Sequence, residues 1–503
     1  MIRVNRVLAL SGVIFAGLIS AAPAAAQVAA AAAAPACDVE QMAPTPLAKA
    51  AITRNKVVNA ASPADALKGV RDAMKDVFDK GTRENPLGRD FVAAQFLILA
   101  VEFGGEVQMY GDLNFPGDKK ASFDLLVAAD SLLDIVEAAK PGCLDETAQW
   151  REYKPYASRI EMAYNALSAN QLDSAEISAK RALIMSDRAP QAFDVMWRVA
   201  AARGDETTQV KYLETTVEKL APDTANANTR SNLMFNLGSI QQAMAEKTDG
   251  AAKAALYASA DKTYLGVVSE YPASQEAPFA VNGISVSWAM TNDSSSAVKA
   301  LEIAKPMLGK YSDVALGQLA FIAVRMNRTT DAAMIFKAAS ESNPYFRDYR
   351  YNYAATLFDL KKSEEMLPVV KRLIELDPSN PDNVLLFAYA YKGLADGTTD
   401  AAMKKAYTDS AVVYSTKSDA MKTRLTYANF ERGLRSTTLS GEIENRGTTP
   451  RSYTVEFEFL DATGAVVDKQ TAAVGPVEPN SNGAFKVTVA KGGIAGVRYA
   501  PIP

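Results

Sequence analysis

The stretch Ala332-Ala333-Met334-Ile335-Phe336-Lys337-Ala338-Ala339-Ser340-Glu341-Ser342-Asn343-Pro344 is answered, 34 residues later, by Met366-Leu367-Pro368-Val369-Val370-Lys371-Arg372-Leu373-Ile374-Glu375-Leu376-Asp377-Pro378. Ala332, Phe336 and Ala339 hold the same offsets from their proline as Met366, Val370 and Leu373 do from theirs. That spacing predicts one buried face of a helix, and each proline stands where a helix must stop. Further back from the two prolines, Ala320 and Ala323 match Ala354 and Leu357, so a second helix precedes each of these. A third unit opens at Pro381, with Phe387, Ala388 and Tyr391 in corresponding places. Small residues at a crossing let two helices approach closely, and a large neighbour fills the remaining gap. A helix pair of this size buries its apolar face only against similar pairs, so the pattern predicts a stacked array.

A 34-residue helix–turn–helix with these small and large positions resembles the tetratricopeptide repeat (TPR) family. Looser matches lie upstream: Ala163, Ala175, Ala179 and Ala182; Leu237-Gly238 with Ala260, Tyr264, Val267 and Pro272, around a long insertion; and Gly283, Ala297, Leu301 and Ala304. The resemblance covers roughly residues 155–415. It implies that the first helix of each pair lines a concave groove that takes a peptide, a helix or a partner loop. Groove positions then fall on Phe321 and Arg325, on Tyr351, Ala355 and Phe358, and on Leu385, Tyr389 and Lys392. Aromatic and basic side chains there are candidate anchors, although each aromatic could equally pack between neighbouring helices. The Lys and Asn set with which some family members clamp a C-terminal carboxylate is missing.

At Arg435-Ser436 the period changes from helical to two. Leu439, Gly441, Ile443 and Asn445 alternate, then Tyr453, Val455, Phe457 and Phe459, with later strands through Val466-Val467, Val474 to Val477, and Phe485 to Val489. Short alternating strands between Gly, Pro and Asn turns predict a β-sandwich. Phe457-Glu458-Phe459-Leu460-Asp461, with Gly441 and Asn445-Arg446-Gly447 upstream, resembles the FxLYD domain of exported bacterial proteins, with Phe459-Leu460 where that family has Leu-Tyr. The resemblance covers about residues 437–501 and implies a small immunoglobulin-like module without known chemistry, in which Phe457 and Phe459 are core.

The other end of the chain reads as an address. Arg3 and Arg6 precede a largely apolar run from Val7 to Ala22, and Ala24-Ala25-Ala26 forms a small-residue cleavage site. This predicts a signal peptide over 1–26, an exported protein resident in the periplasm or secreted, and no membrane span once the signal is removed. Residues 27–45 form an Ala-rich spacer, followed by a helical block at 46–150 that acts as a cap or as divergent repeats, a TPR-like array at 151–436 and the sandwich at 437–503. Within the block, Asp90 to Ala100 is apolar nearly all round, as a buried helix would be, and Ser122 to Ala139 shows helical spacing. Cys37 and Cys143 are the two cysteines, and in an exported protein the expectation is that they pair; free thiols or an intermolecular bond are the alternatives.

Composition narrows the chemistry. Of 503 residues 48% are hydrophobic and 22% charged, and none is histidine. That removes His-assisted nucleophiles, His general bases and His metal ligands. The net charge of −4 argues against nucleic acid, which selects clustered Lys and Arg. No phosphate loop, nucleophile elbow or calcium loop is present, and Glu364-Glu365 with Asp359 read as solvated helix-face carboxylates. The sequence therefore predicts a mostly α protein, a TPR-like solenoid followed by a small all-β sandwich. It acts as a non-catalytic scaffold or adaptor for a protein or peptide partner, with no cofactor. The alternative is a cell-envelope carbohydrate- or peptidoglycan-associated binding protein.

Overall fold

A computed structural model describes residues 37–39 and 43–502. The signal peptide at 1–26 and most of the 27–45 spacer lie outside the described residues. The described chain forms two compact units. One runs to Ser158 and includes Ile184–Ser186; the other comprises Arg159–Leu183 and everything from Asp187 onward.

The first unit holds α1 (Thr45–Val58), α2 (Pro63–Val77), α3 (Pro86–Gly104), β1 (Val107–Met109), the short α4 (Tyr110–Leu113), β2 (Ser122–Asp124), α5 (Leu125–Ala139) and α6 (Leu144–Arg151). Every residue of α3 from Phe91 to Ala100 is buried, so this helix is the unit's axis. The helical spacing from Ser122 is interrupted at its start. Ser122–Asp124 pairs with β1, and the Asp124 carboxylate accepts from the amides of Leu126 and Val127. Asp124 is thus the N-cap, which places the residues before it outside the helix. Arg151 ties α6 to α5 through Asp130 (2.5 Å), Asp134 (2.6 Å) and Glu137 (2.8 Å). The Cys37 and Cys143 sulfurs lie 2.07 Å apart, bonded as a disulfide across 106 residues of chain.

Helices α7 (Lys154–Ser168) and α8 (Leu172–Met185) lead into the second unit. There follow α9 (Gln191–Arg203), α10 (Glu206–Lys219), α11 (Ala227–Glu246), α12 (Gly250–Glu270), α13 (Ala277–Thr291) and α14 (Ser295–Ala304). The last three pairs are α15 (Asp313–Arg325) with α16 (Thr329–Ser342), α17 (Arg347–Asp359) with α18 (Ser363–Leu376), and α19 (Pro381–Gly397) with α20 (Ala401–Ala420). Asp313, Arg347 and Pro381 open successive first helices at 34-residue steps, and Thr329 and Ser363 open second helices at the same step. All ten small or large positions read from the two prolines, Ala320 to Ala339 and Ala354 to Leu373, are buried in one continuous core. The extra residues in the α11–α12 pair lengthen both helices, to 20 and 21 residues, rather than forming an inserted loop.

Close approach in that core is made by glycine. A Cβ on Gly238 of α11 would meet the Tyr264 ring of α12 at 2.6 Å, and one on Gly283 of α13 would meet the other edge of the same ring at 2.4 Å. Tyr264 therefore sits in a slot that only two glycines leave open, with its hydroxyl near Gln242 (3.2 Å) and Ser239 (3.4 Å).

Two three-stranded antiparallel sheets complete the unit. One has the order β3–β4–β7, from β3 (Thr423–Arg432), β4 (Thr437–Asn445) and β7 (Asn482–Val489). The other has the order β6–β5–β8, from β5 (Arg451–Leu460), β6 (Val466–Val477) and β8 (Gly496–Tyr499). Leu425, Leu439, Ile443 and Phe485 from one sheet and Val455, Phe457, Phe459 and Val474 from the other share one core, which makes the pair a sandwich. Its first strand corrects the expected boundary. The array was expected to reach 436, yet the helices end at Ala420 and β3 begins at Thr423. In β3 the inward alternation runs through Thr423, Leu425 and Tyr427 and then jumps to Phe430, because the pairing shifts between Tyr427 and Asn429 and breaks the period of two.

The sandwich is fastened to the turns that close two consecutive repeats. At the second turn, the Asp377 carboxylate pairs with Arg347 (2.7 Å), accepts from Asn383 (2.9 Å) and takes a short hydrogen bond from the Tyr499 hydroxyl of β8. That hydroxyl accepts in turn from the Ser379 amide (3.2 Å), while the Ser379 carbonyl accepts from Leu425 of β3 (3.0 Å). Burial, with the Asp377 charge beside it, holds the Tyr499 phenol well above its ordinary range. At the first turn the same place is taken by Asn343, which donates to the Ala495 carbonyl (2.9 Å) and to Asp313 (2.8 Å). Asp313 is also gripped by Arg432 of β3 at 2.7 Å.

Two outcomes follow from this packing. Gly283→Ala should destabilise the protein by about 1–3 kcal/mol in urea melts, since it overpacks the Tyr264 slot. Gly397→Ala, with open space around it, should leave stability nearly unchanged. Arg347→Ala strips the cation from a buried carboxylate and should cost about 3–5 kcal/mol. Hydrogen exchange should then show the Leu425 amide losing protection before amides inside α15 and α16 do.

Candidate functional site

Each of the last three first helices has two faces, and the residues that separate them follow from the helical period. On α15 the line Leu316, Leu319, Ala320 and Ala323 is buried; on α17 it is Tyr353, Ala354 and Leu357; on α19 it is Val384, Phe387 and Ala388. The opposite face carries large apolar groups in water. Phe321 is 49% exposed, Phe358 47% and Tyr389 39%, joined by Val324 on α15. A half-exposed aromatic thus recurs on three successive repeats.

The sequence-expected site residues fall into three arrangements. Phe358 and Tyr389 come together across the α17–α19 boundary, with ring centroids 5.3 Å apart and planes at 35°. Phe321 turns edge-on to Phe336 of its own repeat (5.6 Å, 84°) and keeps its other side open. The remaining three are occupied within the protein. Arg325 lies over the Trp288 ring at 3.7 Å, Tyr351 packs against the core with Arg347 5.4 Å from its ring, and Lys392 pairs with Asp396 at 2.7 Å. Arg325 thus works as a platform lid on Trp288 rather than as an isolated cation.

The face extends further than the 34-residue offsets reach. Phe279 and Met290 of α13 are exposed, Phe279 is 5.9 Å from Phe235 of α11, and Trp288 lies beneath Arg325. Counting by 34 misses them because α13 begins 36 residues before α15. The signal that could have found them is the α13 sequence itself, where Phe279, Trp288 and Met290 interrupt a helix of small residues. Chemically the face offers apolar surface, ring faces and a guanidinium. Among the described residues no cluster of three carboxylate or thiol groups is placed to hold a metal ion. Among them, too, no helix is long and apolar enough to cross a membrane.

No family model matches the chain, and no curated protein matches it. Solved structures do match. A tetratricopeptide repeat protein from Parabacteroides merdae is 16% identical, over 53% of this chain and 93% of that one, with a TM-score of 0.25. YrrB, described as a TPR protein with an unusual peptide-binding site, is 16% identical over 43% and 83%, with a TM-score of 0.19. The TPR domain of P58(IPK) is 14% identical over 76% and 100%, with a TM-score of 0.17. The helical-repeat architecture of this chain rests on its own 34-residue register.

Because the aromatic face is largely outside the core, Phe358→Ala with Tyr389→Ala should lower stability by no more than about 1 kcal/mol. Leu357→Ala, one residue away but buried, should cost about 2–5 kcal/mol in the same urea titration.

Proposed function

We propose that this chain is an exported, non-catalytic scaffold that holds a protein or peptide partner on the aromatic face of its first helices. The observation that carries the reading is the recurrence of Phe321, Phe358 and Tyr389, each about half exposed, on helices that each bury a line of residues in the array core. Rigid aromatic groups presented on a regular framework bind apolar side chains with little loss of conformational freedom. Export is supported by the signal-like N-terminus and by a disulfide, which persists in oxidising compartments. The FxLYD-like module would stiffen the last repeats: Phe457 and Phe459 are core, and its contacts to the array involve Tyr499, Arg432 and the Ala495 carbonyl.

A carbohydrate or peptidoglycan ligand is the second reading, favoured by the Phe358–Tyr389 pair, whose adjacent rings could take a sugar face. Crosslinking in intact cells, with mass spectrometry of the captured species, separates the two. The mature protein should begin near Gln27, and one partner protein should be captured by the wild type and lost in Phe321→Ala, Phe358→Ala, Tyr389→Ala. Capture of the same species by both proteins would remove the face from the mechanism, whereas a glycan adduct lost in the variant would establish the second reading.

A further inference from the structure

All three tryptophans of the chain lie under an arginine. Arg54 stands 5.3 Å from the centre of the Trp150 ring and donates to the Gln95 side-chain oxygen at 2.6 Å. Arg198 stands 4.8 Å from the Trp197 ring and pairs with Asp194 at 2.8 Å. Arg325 makes the closest stack, 3.7 Å from the Trp288 ring, and has no side-chain oxygen of its own. Among the described residues its one hydrogen-bond acceptor is the Ser285 carbonyl, at 3.4 Å, and no carboxylate lies within ion-pair distance.

A guanidinium stacked on an indole keeps its N–H edge free, and that planar fork loses little freedom when it takes both oxygens of one carboxylate. Arg198 shows the arrangement complete within this chain, with the ring on one side and a carboxylate on the other. Arg325 has the ring without the carboxylate, and it is exposed, so a group from outside can reach it. Its surroundings are apolar: Phe321, one helical turn earlier on the same face of α15, is 49% exposed, and Val324 is exposed beside it. Apolar neighbours displace water around an arriving ion pair and so strengthen it. In helix order, exposed Phe279 and Met290 of α13 precede the stack, and Phe358 and Tyr389 follow it. A chain lying on this face therefore continues past Arg325 in both directions, and the carboxylate it brings there belongs to a side chain rather than to a chain end.

We infer that the Arg325–Trp288 stack selects an acidic side chain, Asp or Glu, within an otherwise apolar segment of the partner. The inference rests on the reading that the aromatic face holds a protein or peptide, and adds the sign of the partner's charge and the place where it falls. The other cations at this face are already neutralised, Lys392 by Asp396 at 2.7 Å and Arg347 by Asp377 at 2.7 Å. The acid is therefore received at the α13–α15 end, and the Phe358–Tyr389 end takes apolar groups.

The test is a bead-displayed library of N-acetylated, C-amidated heptapeptides, with Glu, Gln or Lys at the centre and Leu, Phe, Val or Ala elsewhere, probed with the labelled full-length protein. Glu-centred peptides should be favoured over their Gln counterparts by about tenfold, the worth of a hydrogen bond between charged groups, and Lys-centred ones should bind least. Arg325→Met, at an exposed position, should erase the preference for Glu over Gln while leaving the Gln-centred peptides bound as before. Arg325→Lys keeps the charge without the planar fork and should lower the preference too. Equal capture of Glu and Gln peptides by the wild type overturns the inference, as does a preference that survives intact in either variant. If capture is indifferent to the central residue yet lost in Phe321→Ala, Phe358→Ala, Tyr389→Ala, the aromatic-face reading stands and the acidic one falls. If no peptide binds, both fall.

Discussion

Asp377 carries a carboxylate whose side chain is only 2% exposed, at the turn where one repeat ends and the next begins. Removing such a charge from water is costly, and the attraction of one cation repays it only when the remaining lone pairs are also satisfied. Here every direction is filled: Arg347 from the start of the same repeat, Asn383 from the next, Tyr499 from the sandwich. Three parts of the unit therefore meet at one anion, and moving any of them exposes a buried charge. The position equivalent by repeat is Asn343, which makes its own bridge to the sandwich with a neutral amide. The contacts at Asp377 and Asn343, a repeat apart, together with the Arg432–Asp313 pair, fasten the sandwich to the array.

Repeat stacking depends on a second constraint, the distance between helices. Alanine at Ala320, Ala323, Ala332 and Ala339 and glycine at Gly238 and Gly283 bring backbones close enough that large groups such as Phe336 and Tyr264 fill the gaps without voids. Small residues on the inner side also decide what the outer side can present. When the crossing consumes the face containing Ala354 and Leu357, Phe358 one position on is turned outward with no choice of its own.

The repeat was legible because its determinants are local and periodic. Pro344 and Pro378 stop helices for a covalent reason, and the Ala, Phe, Met and Val positions recur with the repeat because each pair stacks on its neighbours in the same way. What was not legible depends on partners far along the chain. Thr423 to Arg432 reads as the tail of the helical region until β4 is available to pair with it, and its bulge hides the alternation. The same limit applied at the site. Offsets found Phe358 and Tyr389, but nothing in the spacing of Arg325 says that Trp288, from a repeat in a different register, will lie beneath it.

Rigidity and exposure are connected in this chain. A half-exposed aromatic on a mobile helix would lose its freedom on binding and return much of the energy gained by burying it. Phe358 and Tyr389 stand on helices that are tied together, since the first turns of α17 and α19 hold Arg347 and Asn383, the partners of Asp377. The buried carboxylate thus ties the first turns of the two helices together, and further along them the two rings, 5.3 Å apart, stay about half open to solvent. The Tyr499 hydroxyl completes the same anchor, so the sandwich braces the two helices that carry these rings.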